Sequence, residues 1–269
     1  MAVIALHSSA TGLSALNTSL DVIANNLANV NTPGFKTSRA NFQDLLYAER
    51  AQPGVENANG DQAPIGLYVG LGTRVTGTQV SFAEGPAIQT GRDTDVFIEG
   101  RGFFRVQVED RIGGGFAYTR AGSFALNSEG ELVLASDQGR RLDPPIVVPP
   151  DAIPPIQISP NGEVFVLQPG QTEPQLVGNI EIATFINPEG LRQLGENLFA
   201  ESAASGPPNL GQPATEQRGV LRQDFLEGSN VDPTRELIEL IKTQRAFEMN
   251  SNTIRAADET LRNVANLRS

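Results

Sequence analysis

The sequence predicts an α+β fold in which N- and C-terminal helices pair as a coiled-coil-like layer and a β-rich domain is nested between them. Three observations carry that prediction. Apolar residues recur at heptad spacing near the N-terminus. A second heptad run occupies the C-terminus. The long stretch between is broken by many of the chain's 27 Gly and 18 Pro and alternates in short runs, as strands and turns do.

At the N-terminus, Leu13, Leu16, Leu20, Ile23, Leu27 and Val30 step alternately by three and four. They fall on one stripe of a helix, which needs a partner to cover it. Asn31-Thr32-Pro33-Gly34 follows. Pro33 fixes φ and Gly34 tolerates positive φ, which suits the two central positions of a type II turn. The helix is expected to stop near Asn31. At the other end, Leu240, Phe247, Ile254 and Leu261 lie seven apart, with Thr243, Asn250, Ala257 and Val264 between them. Asp232-Pro233 is a good helix start, with Asp at the N-cap and Pro at the first helical position. Asn17, Asn25, Asn26, Asn29 and Asn31 are poor mid-helix residues. Across a helix contact, a buried amide fixes register. For any one of them, a solvated face is the plainer reading.

Between the ends, Arg39–Arg50 reads as a short helix and 51–66 as a loop. Leu67–Phe82 reads as an extended strand bent at its glycines. From Asp95 the pattern is β. Strands are expected at 96–98, 103–108, 116–118, 124–126, 132–134, 156–158, 164–167 and 180–186. Pro144-Pro145, Pro149-Pro150 and Pro154-Pro155 mark an edge or an extended connection. Asn161-Gly162 reads as a hairpin turn and 206–213 as a loop.

Charge is placed unevenly. Asp21 is the one charged side chain in residues 1–31, and residues 232–269 balance six acids with six bases. The middle therefore carries all but one unit of the net −11. An acidic balance argues against nucleic acid as a partner, since phosphate binding needs clustered Lys and Arg. There is no cysteine, which excludes disulfide and thiolate chemistry. No run approaches the ~20 apolar residues of a membrane span, and the start has no basic region like that of a signal peptide. On these rules alone the chain reads as cytosolic.

Catalytic signals are weak. The single histidine, His7, cannot build a metal site or a triad by itself. Gly100-Arg101-Gly102 and Gly113-Gly114-Gly115 do not continue into a phosphate-binding loop. Asp93, Asp95, Glu99 and Asp110 could supply a carboxylate pair, but they border turns, where Asp is ordinary. No catalytic, cofactor or metal residue is assigned.

Ala24 to Lys36, reading ANNLANVNTPGFK, resembles the N-terminal signature of the bacterial flagellar rod and hook family. Gly228-Ser229-Asn230-Val231-Asp232 and Gln244 to Ser251 resemble its C-terminal signature. Gly122-Ser123-Phe124, Asn127 to Val133 and Gly190 to Phe199 resemble its central region. The resemblance covers essentially the whole chain and is nearest in plan to the distal-rod members. It implies a structural, non-enzymatic subunit that polymerises helically into a drive shaft carrying torque from motor to hook.

The partners it implies are other copies of the chain, proximal rod proteins, hook and hook-junction proteins, the outer-membrane and peptidoglycan ring proteins, and the flagellar type III export apparatus. It places the protein in the basal body, spanning the periplasm after export from the cytoplasm. Three nested layers are expected: 1–35 with 232–269, 36–85 with 215–231, and 86–214. Subunit contacts are expected at the seam residues Leu13, Leu16, Leu20, Ile23, Leu27, Val30, Leu240, Phe247, Ile254 and Leu261, and at Asn25, Asn26, Asn29 and Asn250, with Pro33 and Gly34 forming the turn. The 51–66 insert is expected to pack between neighbouring subunits, against the simpler reading of a tolerated surface loop. With two seams exposed, the ends are expected to be weakly ordered in the monomer. A proximal rod or hook subunit is the nearest alternative. A β-rich extracellular enzyme or adhesin is the alternative of another class.

Overall fold

In the computed structural model, residues 2–55, 62, 64–109, 111, 113–171 and 173–266 are described. They divide into two units: a helical unit of Met1–Ala28, Ser38–Val80 and Asp232–Ser269, and a β-rich unit of Asn29–Thr37 and Ser81–Val231. The sequence pattern drew the layers differently. Residues 38–80 group with the helices, and 215–231 group with the strands.

The helical unit has two long helices in contact with each other, α1 (Ala2–Ala28) and α2 (Pro233–Asn266). Asp232 caps α2 as its pattern predicts. Its Oδ1 accepts from the Thr234 and Arg235 amides at 2.9 and 3.3 Å. α1 also packs on a hairpin of Ser38–Asp44 and Thr73–Val80, paired antiparallel. Small residues on α1 permit this approach. Thr11 Oγ1 accepts from the Thr73 amide at 3.3 Å, and no side chain fits at Gly72 against Ser8 and Thr11.

The expected helix over Arg39–Arg50 is wrong: the chain forms strands Ser38–Asp44 and Tyr47–Ala51. The cause is local. The Asn26 amide takes both backbone groups of Ser38, donating to its carbonyl at 2.7 Å and accepting from its N–H at 3.0 Å. A side-chain amide used this way imitates a neighbouring strand and holds Ser38 extended. Leu67–Phe82 is two strands, Leu67–Gly70 and Thr73–Val80. The 51–66 loop falls in part outside the described residues, at 56–61 and 63.

The β-rich unit is built on a six-stranded antiparallel sheet. Its spatial order is Arg192–Gly195, Leu198–Ala200, Phe116–Thr119, Phe103–Gln107, Ile182–Thr184 and Asn209–Gly211. Successive side chains of a strand point to opposite faces, so one sheet serves two cores. Phe104, Ala117, Ile182 and Leu198 enter the larger core, while their neighbours Phe103, Tyr118, Ala183 and Phe199 enter the smaller. The larger core is completed by residues such as Phe124, Leu142, Val164 and Ile180, all fully buried. The smaller is a set of edge-to-face rings, with Phe82 against Phe103 and Phe199 at 5.3 and 5.1 Å, and Tyr118 against Phe185 at 4.8 Å. Burial pushes the Tyr118 hydroxyl up to about 12, helped by nearby Glu201.

The expected central strands form within a few residues, but among the described residues seven more appear, at Ala87–Gln89, Gln175–Asn179, Arg192–Gly195, Leu198–Ala200, Val220–Gln223, Phe225–Glu227 and Asn209–Gly211. The last lies inside the expected 206–213 loop. Backbone pairing with Ile182–Thr184 outweighs the Gly and Pro around it. The first strands of this unit pair with its last: Ala87–Gln89 with Phe225–Glu227, and Val96–Glu99 with Val220–Gln223.

Candidate assembly site

Two arrangements are candidates for function, one in each unit. In the helical unit it is the faces of the paired helices. Along α2, Leu240, Thr243, Phe247, Asn250, Ile254 and Ala257 are its half-buried or buried residues at heptad spacing. Asn250 meets α1 at Gly12, where an added Cβ would lie in tight contact, 3.0 Å from Asn250 Nδ2. On α1, Ile23 is buried, and Leu13, Leu16, Leu20 and Leu27 are half-buried. Leu261, near the end of α2, is exposed, and the Val264 side chain lies outside the described set.

The other side of α2 is apolar as well. Leu237, Ile238, Ile241 and Met249 are all about half exposed or more. Heptad reading of the seam passed over this stripe. Its signal is present in the sequence as Leu-Ile-x-Leu-Ile at 237–241, apolar on too wide an arc for a single partner helix. Burial of large aliphatic side chains is worth about 1.5–3 kcal/mol each, so a partner that covers the stripe would gain appreciably.

Of the asparagines, Asn26 is buried and serves the Ser38 backbone, and Asn29 Oδ1 accepts from Thr32 Oγ1 at 3.1 Å, both within the chain. Asn25 lies on the exposed side of α1. His7 Nδ1 sits 3.1 Å from the Leu71 carbonyl. Of the four acids, Asp93 accepts from the Ile156 amide, Asp95 is buried, Glu99 faces Arg222, and Asp110 lies outside the described residues. Among the described residues no cluster of His, Cys, Asp and Glu is arranged to hold a metal ion.

In the β-rich unit the arrangement is an elbow with a buried ionic centre. Val30 is half-buried just before it. The Phe35 amide donates to the Thr32 carbonyl at 3.2 Å, across Pro33 and a Gly34 with φ +72°. A side chain at Gly34 would lie 2.7 Å from the Ala121 backbone nitrogen, so this position needs glycine for both conformation and space. The Gly34 amide donates to the Glu227 carbonyl at 2.8 Å. Directly after it, Lys36 Nζ meets Glu227 Oε1 at 2.6 Å and the Ala83 carbonyl at 2.7 Å. Arg120 Nε meets Glu227 Oε2 at 2.7 Å, and its Nη1 donates to the Gly100 and Gly102 carbonyls at 2.9 and 2.7 Å. The Gly85 amide adds a bond to Glu227 Oε1 at 2.9 Å.

All three charged side chains are buried, Glu227 to 1% exposure. Burial opposes the Glu227 charge, but Arg120, Lys36 and the Gly85 amide together outweigh it and hold the carboxyl below its usual range. Lys36 is lowered because burial outweighs the help it gets from Glu227. Asn230 completes the elbow, accepting from the Thr37 amide and donating to the Ser81 and Ala83 carbonyls.

Comparison with known proteins bears on both arrangements. Residues 6–36 match the family model described as flagella basal body rod protein, 97–166 that of the flagellar hook protein FlgE/F/G D1 domain, and 222–267 that of the flagellar basal body rod FlgEFG protein C-terminal. The chain is 43% identical to the flagellar basal-body rod protein FlgG of Borreliella burgdorferi, over 98% of each chain. It is 42% identical to the FlgG of Buchnera aphidicola subsp. Schizaphis graminum, over 96% of this chain and 97% of that one.

The chain belongs to the FlgG family of flagellar basal-body rod proteins. It is a structural subunit of the flagellar basal-body rod, a periplasmic structure, and it assembles with flagellar components. FlgG of Caulobacter vibrioides is 40% identical over 98% of this chain, against 34% over 87% for the FlgF of the same organism. Lys36, Arg120 and Glu227 fall one in each of the three family-matched segments.

Proposed function

We propose that the protein forms the distal rod by helical polymerisation through its terminal helices, and that this tube carries torque from the motor to the hook. The observation that supports the reading is the second apolar stripe of α2. Leu237, Ile238, Ile241 and Met249 lie on the side away from the residues that meet α1. A helix apolar on two sides suits a helical array, where one patch on a subunit meets a different patch on the next. In this reading the helices carry the contacts between subunits. Seam residues and the Asn25, Asn29 and Asn250 amides lie at or beside subunit contacts. The higher identity to FlgG than to FlgF favours a distal over a proximal rod subunit.

The insert follows the same reading. Around 51–66, Leu46 is 83% exposed, Ile65 80%, and Tyr47, Leu67 and Tyr68 about half. An apolar hairpin of this kind suits packing between neighbouring subunits. Proximal rod, hook and hook-junction proteins, the ring proteins and the export apparatus are the partners proposed. Leu20→Asp or Ile254→Asp tests the helices. Either should abolish rods while leaving the β-rich unit folded by near-ultraviolet circular dichroism, and normal rods from both would overturn the reading. Deleting 51–66 should alter rod straightness or stiffness in electron micrographs.

A further inference from the structure

The ionic centre at the elbow joins distant parts of the chain. Glu227 collects its three donors from three separate stretches of chain: Lys36, Gly85 and Arg120. It belongs to a strand, Phe225–Glu227, whose partner is Ala87–Gln89, and the preceding strand, Val220–Gln223, pairs with Val96–Glu99. The first strands of the β-rich unit therefore have their partners among the last. Lys36 and Arg120 are both cations, and both are buried. Burying them without Glu227 would put two unneutralised charges in a dry site, which costs far more than any single contact there returns. The fit is also close. A side chain at Gly85 would lie 2.0 Å from the Gly228 carbonyl, and the Gly228 amide donates to the Pro86 carbonyl at 2.8 Å.

We propose that Glu227 is a charge latch: the β-rich unit closes over its first strands only when this carboxylate has met both Lys36 and Arg120. A chain that has not yet contributed its C-terminal strands keeps two solvated cations at the elbow and stays open. Closure then needs residues from both ends of the sequence at once. Removing one member of a buried ionic group is strongly destabilising, whereas replacing the whole group with apolar residues of similar size is often neutral or better. That asymmetry separates a latch made of charge from one made of packing.

The test uses the full-length protein with Glu227→Gln, and with the triple change Lys36→Met, Arg120→Met, Glu227→Met. Lys36 is one of two lysines in the chain, and the other, Lys242, has an exposed amine. Amine acetylation read by mass spectrometry therefore reports the latch directly, with Lys242 as internal reference. In the wild type, Lys36 should react at least about tenfold more slowly than Lys242. In Glu227→Gln, Lys36 should approach the Lys242 rate, and amides of 96–99 and 220–223 should lose protection roughly a hundredfold. The triple variant should recover that protection and refold at least as fast as the wild type.

A pH readout separates charge from packing. The charged groups facing the site are Lys36, Arg120 and, beyond Lys36, Glu84. Closing Glu227→Gln would bury Lys36 without its anion, so its value in the closed form lies below that in the open form, and closure should become more favourable as pH climbs between the two. Lys36 as shielded in Glu227→Gln as in the wild type, or a triple variant as unprotected as Glu227→Gln, would overturn the proposal.

Discussion

The two units bury their apolar residues to different depths. In the β-rich unit, Val96, Phe104, Val106, Phe124, Leu142, Val164, Ile180 and Ile182 are closed off from solvent. In the helical unit the seam is mostly half-buried, and a second apolar stripe on α2 is open. A core filled to completion specifies one structure unaided. A helix pair covered on one side has used part of its driving force and keeps the rest for another contact. The difference teaches that the strands supply a finished part, while the helices and the apolar hairpin beside them suit completion by neighbours.

Truncations should expose the contrast most strongly. Phe104→Ala removes a fully buried ring and should cost about 3–5 kcal/mol, read as a lower midpoint in denaturant. Ile254→Ala, half-buried in the seam, should cost clearly less in the monomer, and equal losses would break the comparison. Acid comes next. The Glu227 carboxyl is held below its usual range in the folded chain, so its contribution is present above the unfolded value and is lost as pH falls through the folded one. Melts from neutral pH downward should show stability of the β-rich unit falling there, and Glu227→Gln should flatten that step.

Smaller effects follow. Gly34→Ala forces a side chain into positive φ against Ala121 and should cost about 1–3 kcal/mol, seen as a lower melting temperature of the β-rich unit. Asp232→Ala removes the cap of α2 and should cost about 1 kcal/mol, seen as faster amide exchange in its first turn. Ile238→Asp, on the open stripe, should change monomer stability by less than about 0.5 kcal/mol while preventing assembly.

How much the sequence foretold follows from the range of each interaction. The seam of α2, the Asp232 cap and the short central strands are set by neighbours in sequence and could be read from spacing. Residues 39–50 were misread because the amide that holds Ser38 extended comes from Asn26, in the preceding helix. Four of the seven unforeseen strands, at 87–89, 209–211, 220–223 and 225–227, pair with stretches distant in sequence, which local spacing does not show. Asn209–Gly211, for example, is short and lies among Gly and Pro, and only its pairing with Ile182–Thr184 makes it a strand. The ionic centre was missed for the same reason. Lys36, Arg120 and Glu227 are each unremarkable locally, and nothing in the spacing joins them. The signal available was a lysine in a chain that otherwise prefers arginine, and a glutamate set between Leu226 and Gly228 in an apolar strand.

Hydrogen–deuterium exchange of α1 and α2, in the free subunit and in assembled rods, tests the central claim most directly. Helices completed by neighbours should exchange quickly in the free subunit, while the strands around Phe104 and Ile182 stay protected. In rods, protection should rise most along 237–249, where the open stripe lies. Helices as protected in the free subunit as in the rod would contradict the account, because the helical unit would then be as complete alone as the β-rich one.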